Sequence, residues 1–186
     1  MNKRMTLRSI AGYCFESALW KFIVDICDDI QEEKTTTWNI LTPDTVFIEE
    51  NCFHISKEGF CNVDEFSPPE GNINLEEAST IWSIGAMVCY LSSGHLIFGG
   101  QGGAYQKKHP NVSLPVLRKE HSALTPIVQR CLCYSPSQRI RLKDLSKQAA
   151  NGLENSEKQL RKEIFKPIEV NNNNKTANDI WPDKMG

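Results

Sequence analysis

The sequence predicts a mainly α-helical fold with one small β-hairpin. Three observations carry that prediction. Apolar residues recur with helical spacing along residues 6–31, and residues 46–56 read as strand, turn and strand. No charged residue occurs from Thr80 to Gly94, so a helix there is apolar on every side and buried. The length of 186 residues suits one domain, or one domain with a tail. A compact chain of this size buries roughly 70% of its extended surface. Charged residues make up 24% and hydrophobic residues 40%, as in ordinary soluble globular proteins.

The first helix, 6–31, presents Leu7, Ile10, Ala11, Cys14, Phe15, Ala18, Leu19, Phe22, Ile23, Ile26, Cys27 and Ile30 on one broad face. Glu16, Lys21, Asp25, Asp28 and Asp29 fall on the other, and Thr35-Thr36-Thr37 ends the pattern. Val46-Phe47-Ile48 is a short β-favouring run, Glu49-Glu50-Asn51 a turn, and Phe53-His54-Ile55-Ser56 a half-buried strand. Lys57-Glu58-Gly59 follows where a strand meets a loop, a usual place for functional groups. Pro68-Pro69 forbid helix or central strand in "FSPPEG". Asn74 or Ser79 caps the buried helix, which runs to about Leu91 and is too short to span a bilayer.

"FGGQGGAY", 98–105, has neither the order nor the preceding strand of a phosphate cradle and reads as a flexible connector. A further helix covers Leu124–Tyr134 and is closed by Ser135-Pro136, and "RLKDLSKQAAN" begins the last packed helix. The domain therefore spans 1–150. Residues 151–167 form a charged helix or extension, and 168–186, with the run Asn171–Asn174, a disordered tail. No internal repeat is present.

The net charge of −2 conceals an uneven distribution. Residues 25–78 hold fourteen acids against two bases, and residues 101–148 nine bases against two acids. Either the halves face each other in the fold, or each is a surface for charged partners. Seven cysteines, with no CxxC pair, read as reduced core residues of a cytoplasmic protein. Cys52, His54 and Cys61 lack a fourth ligand and the usual zinc spacing. His54, His95, His109 and His121 are scattered and read as surface or loop residues. The N-terminal stretch is interrupted by Glu16, Lys21 and Asp25, which argues against a signal peptide or membrane span. No hydrolase motif such as G-x-S-x-G or H-E-x-x-H occurs.

Four phrases in order resemble the C-terminal lobe of a protein kinase. "STIWSIGAMVCYLSSGHLIFGG", 79–100, is similar to the kinase stretch S-D-V-W-S-L-G-V-x-L-Y-E-L-x-T-G-x-x-P-F. "SPPE", 67–70, is similar to the A-P-E that closes an activation segment, with Pro69 and Glu70 at its last two positions. "IVQRCLCYSPSQRI", 127–140, resembles L-I-x-x-C-L-x-x-D-P-x-x-R-P. The hairpin resembles H-R-D-L-K-P-x-N-I-L-L followed by I-S-D-F-G. The similarity covers about residues 6–150.

Carried over position by position, the resemblance implies a scaffold without the chemistry. Ile40 stands where the catalytic aspartate would be, Thr42 at the lysine, and Thr45 at the magnesium-binding asparagine. Lys57 stands at the metal-binding aspartate of D-F-G. An isoleucine has no acceptor for a proton and an ammonium does not ligate Mg²⁺. Five residues precede the predicted first helix, leaving no room in this chain for a small lobe. Trp82 and Gly85 of the buried helix remain, with Thr80 replacing the aspartate that opens it. Glu70 and Arg139 match a buried ion pair that ties the activation segment to the late helices.

The resemblance therefore implies a pseudokinase-like interaction or scaffolding module, similar to the kinase non-catalytic C-lobe domain. No cofactor, metal, nucleic-acid or membrane partner is expected, and the charge of the acidic half, 25–78, implies a basic protein segment as its partner. Two alternatives stand beside it. One is half of a split kinase, whose partner chain supplies ATP binding for Ser/Thr phosphotransfer. The other is an unrelated helical protein.

Overall fold

A computed structural model describes residues 5–32, 40–56, 64–71 and 76–164. Its helices are α1 (Glu16–Glu32), α2 (Glu77–Ser93), α3 (Gly102–Lys108), α4 (Thr125–Cys131) and α5 (Leu142–Ile164). Three antiparallel strands, β1 (Met5–Thr6), β2 (Val46–Glu49) and β3 (Cys52–Ile55), form one sheet in that order. The fold is thus mainly helical with one small antiparallel sheet. The two-residue strand β1 is an addition to the expected hairpin.

α2 is the centre of the core. Every residue from Ser79 to Cys89 is buried, as its uniform apolarity requires. α1 and α4 pack against it, and α1 is covered in turn by α5 and by β3. Ser79 lies inside α2 rather than capping it; Glu76 holds the cap position, and Asn74 lies outside the described residues.

α1 starts ten residues later than the periodicity implies. Leu7–Ser9 form a 3-10 turn that buries Leu7 completely. Gly12 then adopts φ +82, its N–H donating to the Leu91 carbonyl at 2.8 Å. A Cβ at Gly12 would lie 3.3 Å from the Gly94 nitrogen, so the two glycine backbones meet. The left-handed residue breaks any helix through this point. Phe15 consequently leaves the apolar face expected of it and stands 81% exposed, beside Tyr13 at 84%.

The hairpin pairs Val46 with Ile55, Phe47 with His54, Ile48 with Phe53 and Glu49 with Cys52. Glu50 and Asn51 both have positive φ, as a type I′ turn demands. The outer edge of β3 is closed by α1. Asp25 Oδ2 accepts the Phe53 N–H at 2.9 Å, and Asp29 Oδ2 accepts that of Ile55 at 2.8 Å. Strand N–H groups that would otherwise invite another chain are thereby satisfied.

The glycine-rich stretch is not a connector. Ile97–Gly100 form a tight turn with positive φ at Phe98 and Gly99, and Gly102–Lys108 form α3, with the rings of Phe98 and Tyr105 stacked at 5.7 Å. A Cβ on Gly103 would sit 2.2 Å from the Pro68 carbonyl carbon, and the Gly103 N–H donates to the Ser67 carbonyl at 2.8 Å. Here glycine allows close approach of backbones.

α4 is shorter than expected and follows a 3-10 segment, Lys119–Leu124. α5 runs unbroken through residue 150, where the domain boundary was placed. Leu153 joins the core, and a Cβ on Gly152 would lie 2.5 Å from the Trp20 ring. The expected tail, 168–186, lies outside the described residues. Among the described residues no helix is long and apolar enough to cross a membrane.

Candidate functional site

Four positions singled out on the hairpin, Ile40, Thr42, Thr45 and Lys57, have two different outcomes. Lys57, with the whole of Lys57-Glu58-Gly59, lies outside the described residues. The other three fall in the loop that enters β2. That loop is anchored to the central helix: the Leu41 N–H donates to Ser83 Oγ at 3.0 Å, and Ser83 Oγ donates to the Thr80 carbonyl at 2.8 Å. Ile40 is half-buried against the core, while Leu41 and Pro43 are buried.

Thr42 and Thr45, 0% and 6% exposed, close on one another. The Thr42 N–H donates to Thr45 Oγ1 at 2.9 Å, and the Thr45 N–H donates to Thr42 Oγ1 at 3.2 Å. Thr45 Oγ1 also donates to the Thr42 carbonyl at 3.2 Å. The hydroxyls are thus committed to a turn of the type short polar side chains stabilise. Asp44 is the loop's one carboxylate. It is exposed and held by Arg8 through two hydrogen bonds, of 3.0 and 2.6 Å. Arg8's hydrogen bond keeps the Asp44 carboxyl below the usual range.

The second group joins the proline turn to the late helices. Arg139 Nη1 and Nη2 donate to Glu70 Oε1 and Oε2 at 2.6 and 2.8 Å. The guanidinium also donates to three backbone carbonyls: Cys133 at 2.9 Å, Ala78 at 2.8 Å and Tyr134 at 3.1 Å. The Arg139 side chain is 0% exposed and that of Glu70 27%. Glu70 further accepts Ser79 Oγ–H at 2.9 Å. Burial pushes the Glu70 carboxyl up, but the Arg139 hydrogen bonds and the other donors outweigh it and hold it below its ordinary value. Nearby, Glu77 Oε1 accepts the N–H of Leu142 at 2.7 Å, the first residue of α5.

Trp82 and Gly85 fix how α2 meets its neighbours. Trp82 is 0% exposed; its Nε1 donates to Gln106 Oε1 at 3.0 Å, and Gln106 Nε2 donates to the Leu132 carbonyl at 2.8 Å. A Cβ on Gly85 would meet the Cys131 Cβ at 2.8 Å, so α4 lies directly on this glycine. Pro69 is buried next to Gly103.

Several contributors escaped the sequence reading. Gln106 sits in the stretch read as a connector. Asp25 and Asp29 fall on the side of the helix opposite its apolar face, yet they serve β3. His121 was read as a surface or loop residue but is 2% exposed and bonded to the buried Ser92. No sequence signal separates it from the exposed His95 and His109. Cys27, Cys89 and Cys131 are buried in the core, and burial raises each thiol, the first two to about 12. Cys61 lies outside the described residues, among which no group of three His, Cys, Asp or Glu side chains is placed to hold a metal.

Of the fourteen acids in 25–78, Asp25, Asp29, Asp44, Glu70 and Glu77 are engaged within the fold. Asp28, Glu32, Glu49 and Glu50 are exposed at the end of α1 and at the hairpin turn. Compared with protein-family models and with curated proteins, the sequence matches none.

Proposed function

We propose that this chain is a non-catalytic, protein-kinase-like C-lobe that serves as a protein-interaction or scaffolding module. The observation that carries the proposal is the closed Thr42–Thr45 turn. In the kinase reading these positions are the lysine and the magnesium-binding asparagine of the catalytic loop. Here both hydroxyls are buried and bonded to one another's backbone. Ile40, at the aspartate position, offers no proton acceptor. Phosphoryl transfer rests on positioned metal and charge, and these side chains supply neither.

The test is a thermal melt with millimolar Mg-ATP, in which the midpoint is expected to stay unchanged. A ligand at a hundred times its Kd stabilises by about 2.7 kcal/mol, which such a melt resolves easily. A magnesium-dependent rise of several degrees would overturn the non-catalytic reading and favour the split-kinase alternative.

The partner in this reading is a basic protein segment, met by the exposed Asp28 and Glu32 of α1 and by Glu49 and Glu50 of the hairpin turn. Binding of a lysine- and arginine-rich peptide is expected to weaken steeply as salt rises, since exposed charges are screened beyond about 8 Å at physiological ionic strength. Titrations at low and high salt measure it. Equal affinity in both would remove the electrostatic basis for that partner.

A further inference from the structure

We propose that His121 is an acid-sensitive latch that holds the 3-10 segment Lys119–Leu124, and through the neighbouring Arg118 the turn at Gly12, against the end of α2. His121 lies in the 3-10 segment Lys119–Leu124, where its own backbone departs from helix. Its Nδ1 is 2.7 Å from Ser92 Oγ, and Ser92 is fully buried near the end of α2. The His121 N–H donates to the Arg118 carbonyl at 2.9 Å. The buried imidazole therefore ties the 3-10 segment to the end of α2. The same junction carries the Gly12 N–H on the Leu91 carbonyl, at 2.8 Å, and Arg118 Nη1 on the Gly12 carbonyl, at 3.1 Å.

A neutral imidazole has one donor and one acceptor. With the ring proton on Nε2, Nδ1 accepts from the Ser92 hydroxyl. A second proton makes Nδ1 a donor. Ser92 must then turn its own hydrogen elsewhere, and a charge sits where water does not reach.

The surroundings do not compensate for that charge. Arg118, on the same segment, repels it, while the exposed Glu120 attracts it. Lys119 is exposed beside Glu120. From α1, Glu16 attracts it, though Glu16 Oε1 already accepts Trp20 Nε1–H at 3.2 Å. α2 carries no charged residue from Thr80 to Gly94. The Cys14 thiol, raised by burial, donates to the Ile10 carbonyl at 3.4 Å and stays neutral. Burial, then Arg118, outweigh the opposing groups, and the imidazole is held below its ordinary value.

The direction of the pH effect follows. The open turn binds a proton more tightly than the closed one. The latch is therefore fully effective above the free imidazole pKa of about 6.5 and is released as the pH falls below it. Release frees the turn at Gly12, next to which Tyr13 and Phe15 are exposed.

The experiment is an NMR titration of the whole chain with amide exchange measured from about pH 8 to about pH 5, across the histidine range. The His121 ring is expected to titrate below the free imidazole value of about 6.5. Protection of the Gly12 amide, corrected for intrinsic exchange, should fall by up to about tenfold per pH unit below about 6.5, the limit for uptake of one proton. Amides at the centre of α2 should not follow. His121→Gln should abolish the pH step at Gly12. If that variant does not fold, the wild-type titration decides alone. A His121 ring titrating at or above about 6.5, or a pH step that persists in His121→Gln, overturns the latch.

Discussion

Trp82→Ala is expected to destabilise the protein by about 3–5 kcal/mol, the range for removing a fully buried large aromatic. The indole lies at 0% exposure in the central helix. Its loss opens a void that close-packed neighbours fill only in part. A second effect adds to the void. Gln106, 1% exposed, loses the donor to its Oε1 while its Nε2 stays bound to the Leu132 carbonyl. Trp82→Phe separates the two contributions: it keeps most of the ring and orphans Gln106, for a loss of about 1–3 kcal/mol. Urea melts of both variants, compared at equal m-value, measure the difference. A loss below about 1 kcal/mol for Trp82→Ala would mean that α2 is not the centre of the core.

How far the sequence discloses this molecule depends on what each signal requires. The burial of α2 needs no partner to be known, because a charge-free helix has no face to offer water. The hairpin is likewise local: β-favouring runs and an asparagine turn stand within ten residues. The start of α1 is ambiguous because Leu7 and Ile10 serve a 3-10 turn as well as a helix; only the Gly12–Gly94 contact decides, across more than eighty residues. The stretch 98–105 misleads for a related reason. Glycines that permit motion and glycines that permit contact look alike until Pro68 is seen against Gly103. Asp25 and Asp29 have the spacing of a solvated face, and their acceptors' role appears only once β3 lies alongside. The Thr42–Thr45 turn was marked by what those residues are not; its closure is visible only in three dimensions. Glu70 and Arg139 carry no local signal at all, and only the resemblance drew attention to them.

Glu70→Ala is expected to cost about 3–5 kcal/mol, because it leaves the wholly buried Arg139 guanidinium without its counter-charge. The three carbonyls that remain, those of Cys133, Ala78 and Tyr134, orient the guanidinium but do not neutralise it. Arg139→Ala removes a different set of interactions. It strips those carbonyls of their donor, while Glu70, 27% exposed, keeps Ser79 and gains water. Its loss is also several kcal/mol, but the cause lies in orphaned backbone acceptors more than in an orphaned charge. The double variant should lose clearly less than the sum of the two, since the second change acts on a partner already removed. An exposed pair would give only about 0–1 kcal/mol for each change, and the losses would add. Glu70→Gln sharpens the test: it keeps the shape and one acceptor but removes the charge, and should fall between wild type and Glu70→Ala. Urea melts of the four variants decide. Small, additive losses would mean that the proline turn and the late helices are not tied at this point, and the kinase-like reading would lose this pair as a support.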